Sequence, residues 1–186
     1  MDKIEEEFLE EVLNTKIKPK SRKKGINSKR KGSNGEREVC SLLEQRFKGY
    51  FFKRSPQSGA AVGATNIKKV DTYNKNHLDV FAGDIFCSDD KFKFTIEVKF
   101  RKDVSFWDLF NNSEIFEWFK QAQQQANITG KIPLLIVKYN NKPFIIYTTC
   151  IVDDKIQVFK IGDWCCYRFA DFFSQDDDMF FEVKNE

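Results

Sequence analysis

Residues 91–100, KFKFTIEVKF, alternate strictly. Phe92, Phe94, Ile96, Val98 and Phe100 fall on one side, and Lys93, Thr95, Glu97 and Lys99 on the other. A period of two over this length marks an extended strand, because successive side chains of a strand point to opposite faces. One face is wholly apolar, so the strand must lie against a core as part of a sheet. The other face carries Glu97 and Lys99, roughly 7 Å apart along the strand. The bland reading of that pair is a solvated polar stripe, and the pointed reading is the centre of a reactive site.

The flanking sequence supplies the rest of a layered fold. HLDVFAGDIFC (77–87) reads as a second strand, joined to the first by a hairpin turn at Ser88-Asp89-Asp90. Upstream, Ser33 and Glu36 have capping-box spacing, and Val39, Leu42, Leu43 and Phe47 give the buried face of a helix over 33–48. YFFKR (50–54) is a short strand, followed by a long polar loop over 55–76, a length that often carries function in a compact domain. Downstream, Ser113 is placed to cap a helix bearing Ile115, Trp118, Phe119, Ala122 and Ala126 on one side, with Gly130 as its stop. LLIVKY (134–139) and PFIIYTTC pair across Asn140-Asn141, KIQVFK (155–160) adds a strand, and YRFADFF (167–173) a short helix. The order α–β–β–β–α–β with extra C-terminal strands predicts an α/β (α+β) layer fold around a mixed sheet.

Charge divides the chain. Residues 1–15 hold six acids and one base, and Ile4, Phe8, Leu9, Val12 and Leu13 form one helical stripe there. Residues 16–32 hold nine bases and no acid, whereas the rest carries 21 bases against 22 acids. Such a basic block is a solvated linker or an arm that meets phosphate. The organisation expected is an arm over 1–32, made of the amphipathic helix and the basic segment, and a folded domain over 33–186. The acidic, amphipathic start is wrong for a signal or transit peptide, and no apolar run approaches a membrane span, so a cytoplasmic protein with no membrane partner is expected. Five cysteines without a CxxC read as reduced thiols rather than a zinc site, and His77 is the only histidine, which disfavours Ser-His and Cys-His chemistry.

Asp84, in Ala82-Gly83-Asp84-Ile85, can reach Glu97 across the hairpin. Two carboxylates on adjoining strands make a hard oxygen site suited to Mg²⁺ or Mn²⁺, and Lys99 beside them can hold a water or neutralise a phosphate. The pattern GDI…IEVK (83–99) resembles the core of the PD-(D/E)XK nucleases. Lys31-Gly32-Ser33-Asn34-Gly35-Glu36-Arg37 is similar to the KGxxxER opening of archaeal Holliday junction resolvases and their phage relatives. Arg54-Ser55-Pro56-Gln57-Ser58-Gly59 resembles their R-x-x-x-S-G loop. Gly83 stands where the motif has Pro, and the insert at 60–76 is longer than a minimal resolvase loop.

The resemblance, which covers about residues 29–139, implies a restriction-endonuclease-like αβββαβ core and a Mg²⁺-dependent endonuclease that leaves 5′-phosphate and 3′-hydroxyl ends. Mn²⁺ is expected to substitute, and no organic cofactor is implied. It implies Asp84, Glu97 and Glu36 as metal ligands, Lys99 as the residue that orients water, Ser58 at the catalytic centre and Gln121 as a motif glutamine. Arg30, Lys31, Arg37, Arg54, Arg101 and Lys102 are placed to meet DNA, with branched or four-way junctions as substrate and a homodimer as the assembly. Asp79 competes with Asp84, Glu38 with Glu36, and Gln123, Gln124 and Gln125 with Gln121. A nuclease of restriction, nicking or repair type and a non-catalytic DNA-binding module on this fold are the alternatives. Trp107 and Trp118 read as core residues, and His77 as a loop residue.

Overall fold

The computed structural model describes residues 28–56, 75–103, 114–153 and 155–182. The helix expected over 4–13, most of the basic segment, Ser58, Trp107, Ser113 and residues 60–74 of the long loop lie outside them. Helix α1 (Ser28–Arg46) leads into strand β1 (Phe52–Arg54), and helix α2 (Lys75–Phe81) into strands β2 (Ile85–Cys87) and β3 (Phe94–Arg101). Helix α3 (Glu114–Thr129) then precedes strands β4 (Ile132–Tyr139), β5 (Phe144–Thr148), β6 (Gln157–Ile161) and β7 (Trp164–Arg168), and short helices α4 (Phe169–Phe172) and α5 (Asp177–Phe180) close the chain. The strands form one seven-stranded sheet in the order β1-β2-β3-β4-β5-β7-β6. Only β3 and β4 run parallel, joined by the crossover through α3; every other pair is antiparallel. This is the mixed-sheet α+β fold the element order predicts.

The alternation along the strands sorts two cores. Phe94, Ile96 and Val98 of β3, with Leu134 and Ile136 of β4, face Val39, Leu43 and Phe47 of α1 and Phe172 and Phe180 of the closing helices. Leu135, Val137 and Tyr139 face Ile115, Trp118, Phe119 and Ala122 of α3 on the opposite side. The first core is largely phenylalanine. Phe47 packs edge-on against Phe180 and Phe181 with ring centres 5.0 and 5.4 Å apart, and burying each such ring contributes about 1.5–3 kcal/mol.

Several expectations change. HLDVF is helical rather than extended: α2 covers it, His77 included, and only Ile85–Cys87 pair as strand. Leu78, Phe81 and Ala82 lie at i, i+3 and i+4, and this helical spacing outweighs the apparent continuity with the strand behind it. The helix over 33–48 starts earlier, at Ser28, so Ser33 sits inside α1 and caps nothing there. Strand β3 starts at Phe94, because the connection from β2 runs over residues 88–93, with Phe92 making a single bridge to Phe181. WCCYR (164–168) is an additional strand, and α5 gives structure to the acidic tail. Gly130 ends α3 with φ +70°, as predicted.

Candidate active site

The polar face of β3 is not solvated. Glu97 is 1% exposed and Thr95 is buried, because α3 lies across that face. Thr95 and Thr129 share a hydroxyl–hydroxyl bond of 2.7 Å at the far end of α3. Two turns earlier on α3, Gln121 donates from Nε2 to Glu97 Oε1 at 2.5 Å and accepts from Lys99 Nζ at 3.0 Å. Lys99 Nζ also reaches Glu97 Oε1, at 2.5 Å. Glu97, Lys99 and Gln121 therefore form a closed triangle of charge and amide. Burying a charged pair costs more than it returns unless its geometry is well satisfied, so a stability role alone explains this triangle poorly.

Asp84 joins them through backbone register. Ile85 pairs with Ile96 in the antiparallel β2–β3 ladder, and one step further that register sets Asp84 opposite Glu97. Asp84 N–H donates to the Ile96 carbonyl at 2.7 Å, and its Oδ2 accepts the amide of Val98 at 2.9 Å. Gly83 makes the approach possible. Its φ is +74°, and a Cβ there would stand 2.5 Å from the Ile96 carbonyl oxygen. A glycine in this left-handed conformation fits where proline, fixed near −65°, could not.

Electrostatics mark Asp84 out. Burial, and then the charge of Glu97, push its carboxyl up to about 8, against the opposing pull of the Val98 amide and Lys99. Perturbation by desolvation plus a like charge is characteristic of functional carboxylates. The second oxygen of Glu97, Oε2, is buried without a hydrogen-bond partner.

Glu36 stands close enough for its charge to raise Asp84 further, and it pairs with Arg54, opposite Ile85 on the neighbouring strand β1. Arg54 thus belongs to the same cluster rather than to the open surface. Of the other basic residues, Arg37 is exposed and donates to Asn34 at 3.2 Å. Arg101 pairs with Glu114 and lies over the Trp118 ring at 4.9 Å, while Lys102 is exposed beside Asp103. Arg30 and Lys31 lie on the first turn of α1, and Ser58 is outside the described residues. Asp79 pairs instead with Lys131 at 2.9 Å, and Glu38 points to solvent from α1. Ser55 was not singled out above and Gln125 only as a rival to Gln121, yet both hold the Asp84 turn. Ser55 N–H donates to the Asp84 carbonyl at 2.8 Å and Ser55 Oγ to the Val80 carbonyl at 2.8 Å. Gln125 Oε1 accepts the Gly83 amide. The available signal was the i, i+4 spacing of Gln121 and Gln125, which puts both on one helix face.

Among the described residues no three ligating side chains cluster closely enough to enclose a metal by themselves. The two that meet, Asp84 and Glu97, still fit a hard divalent cation such as Mg²⁺, which is usually held by one or two carboxylates with water and substrate phosphate completing its shell. The partnerless Glu97 Oε2 and the crowding of two acids are features a cation would relieve. All five cysteines are free, and burial pushes the thiols of Cys40 and Cys166 up to about 11 and 12, so neither is an activated nucleophile. No described helix is long and apolar enough to cross a membrane.

No curated protein sequence matches the chain. Among solved structures it is similar to Archaeoglobus fulgidus Hjc, a Holliday junction resolvase from an archaeal hyperthermophile, with 15% identity, 74% of this chain and 86% of that chain covered, and a TM-score of 0.38. The family model described as phage putative PDDEXK endonuclease matches residues 27–159, which run from the start of α1 through Asp84, Glu97, Lys99 and Gln121 into β6. The chain belongs to this family of phage PDDEXK endonucleases.

Proposed function

We propose that the protein is a divalent-cation-dependent DNA endonuclease acting on branched DNA, four-way junctions foremost. The observation that carries the reading is the part-buried Glu97–Lys99–Gln121 triangle with Asp84, at the entrance to β2, set opposite Glu97. Asp84 and Glu97 would hold Mg²⁺, with Mn²⁺ able to replace it. A bound cation would stabilise the charge that develops on the phosphodiester and lower the pKa of its water. Lys99, held by Glu97 and Gln121, is placed to orient the attacking water and to offset charge on the phosphate. Gln121 fixes the positions of both partners. Glu36 restrains Arg54 beside the centre, where the guanidinium can meet the DNA backbone, and Ser58 is assigned to the substrate phosphate by its place in the sequence motif. Arg30, Lys31, Arg37, Arg101 and Lys102 would meet flanking phosphates, which position DNA without reading its sequence.

The preference for branched DNA is supported by the KGSNGER and RSPQSG motifs at 31–37 and 54–59. Paired cuts across a junction call for two sites, and hence a homodimer.

The test is cleavage of labelled four-way junctions, flaps and linear duplex, with Mg²⁺ and with EDTA, by wild type and Glu97→Ala. Junction cleavage that needs Mg²⁺ and Glu97 is expected. Equal cutting of linear duplex would remove the junction preference and leave the nuclease. Equal cutting by Glu97→Ala would overturn the site.

A further inference from the structure

Helix α3 presents two amides one turn apart to two different strands. Gln121 holds Glu97 and Lys99 on β3, whereas Gln125 reaches past β3 to the turn that leads into β2. Gln125 is 4% exposed, and its Oε1 accepts the Gly83 N–H at 3.3 Å. That amide is a demanding donor. Gly83 has φ +74° and lies against the Ile96 carbonyl, which already accepts from Asp84 N–H. Neither the β2–β3 ladder nor α2 offers the Gly83 amide a partner among the described hydrogen bonds. Without Gln125 it would be a buried donor with nothing to bond.

We infer that Gln125 is a positioning residue for Asp84: it fixes the Ala82–Gly83 peptide, which enters the Asp84 turn, so that the Asp84 carboxylate meets Glu97 at the spacing a shared cation requires. The inference rests on the nuclease reading above and deepens it. In this arrangement α3 acts as a ruler. The distance between Gln121 and Gln125, one helical turn, adds a second constraint to the offset between the two carboxylates, beside the Asp84 N–H bond to the Ile96 carbonyl and the Val98 amide bond to Asp84 Oδ2. Ser55 clamps the same turn from β1, through its amide on the Asp84 carbonyl and its hydroxyl on the Val80 carbonyl. Among the described hydrogen bonds none joins Gln125 to the Asp84 carboxylate or to Lys99, so its effect falls on the affinity for the cation before any DNA is bound.

The experiment measures Mn²⁺ binding to the DNA-free protein by calorimetry or electron paramagnetic resonance. It compares wild type with Gln125→Met, Gln125→Glu and Thr129→Val. Gln125→Met keeps the shape and removes the acceptor, and should weaken Mn²⁺ binding on the order of 10-fold, the usual effect of losing a group that orients a metal ligand. Gln125→Glu keeps Oε1 and should bind at least as well as wild type within about threefold, on the same reasoning. Thr129→Val breaks the neighbouring α3–β3 hydroxyl bond without touching the turn, so it should lower the melting temperature and leave Mn²⁺ affinity unchanged. Wild-like Mn²⁺ affinity in Gln125→Met, or equal weakening in Met and Glu variants, would overturn the inference. Absence of Mn²⁺ binding by wild type itself would instead overturn the nuclease reading beneath it. Amide exchange of Gly83 in wild type gives an answer independent of any variant's folding: slow exchange is expected, and free exchange rules the bond out.

Discussion

Asp84→Asn should make the metal-free protein more stable while abolishing its response to Mg²⁺. In the native state the Asp84 carboxyl is pushed from 3.8 up to about 8, by burial first and the Glu97 charge second. A native group that binds its proton more tightly than the unfolded chain does loses stability as pH rises through the interval between the two values. The wild-type protein in EDTA should therefore weaken progressively between about pH 4 and pH 8, with the loss complete above the upper value. At about 1.4 kcal/mol per unit, the ceiling at pH 7.5 is on the order of 5 kcal/mol. Water reaching the site and the partial compensation from Lys99 and the Val98 amide reduce it, so an effect on the order of 2 kcal/mol is the working figure. Asparagine keeps an oxygen for the Val98 amide and has no charge to bury. For a chain of this size such a gain raises the melting temperature by about 4–8 °C.

The assay is thermal unfolding followed by circular dichroism from pH 4 to pH 8.5, with EDTA and again with Mg²⁺. In EDTA the advantage of Asp84→Asn should be largest above pH 7 and should close toward pH 4, where the folded-state aspartate is protonated and the unfolded one begins to take up its proton. With Mg²⁺, wild type should gain stability by mass action and the variant should not. A variant that melts at or below the wild-type temperature at pH 7.5 in EDTA refutes the crowding of two buried acids. A difference that stays constant across pH refutes it equally.

Lys99→Met should lower the cleavage rate by roughly 10²–10⁴-fold, the range for loss of a positioned proton-transfer or charge-stabilising group, while junction binding in EDTA stays close to wild type by gel shift. Gly83→Ala forces a Cβ to 2.5 Å from the Ile96 carbonyl at φ +74°. It should cost on the order of 1–3 kcal/mol in urea unfolding and should also weaken Mn²⁺ binding.

The parts of the fold governed by local periodicity were legible in sequence. Strand β3 showed as period two, α3 as period 3.6 ending at Gly130, and β4 as an apolar run after Pro133. HLDVF misled because a short amphipathic helix abutting a strand gives one continuous apolar stretch, in which the switch of period falls at Ala82-Gly83. WCCYR escaped because a strand buried on both faces has no alternation to detect, and Trp164, Cys165, Cys166 and Tyr167 are all buried. At the site, sequence order named Asp84, Glu97, Lys99 and Gln121 but gave no register. The register depends on the positive φ of Gly83 and on bonds from Gln125 and Ser55, which are long-range contacts. Glycine in place of the motif's proline looked like a departure. In three dimensions it is what allows Asp84 to reach Glu97.

The closed triangle also bears on how the site rests without a cation. Glu97 offers one oxygen to both Lys99 and Gln121 and leaves the other buried and partnerless. Asp84 meets the same crowding differently, by holding its proton near neutrality. Two neighbouring acids thus escape mutual repulsion by two routes, an internal ammonium and a retained proton. On the proposed reading the second route is the reversible one, since a cation shared by Asp84 and Glu97 would replace the proton, whereas Lys99 remains tied to Gln121. Metal binding should therefore release close to one proton per site at pH 7 and fewer above pH 8, where Asp84 is already ionised. Calorimetry of Mn²⁺ binding in buffers of different ionisation enthalpy measures that number directly. A proton count that does not fall as pH rises from 7 to 9 would place the exchanged proton elsewhere than on Asp84.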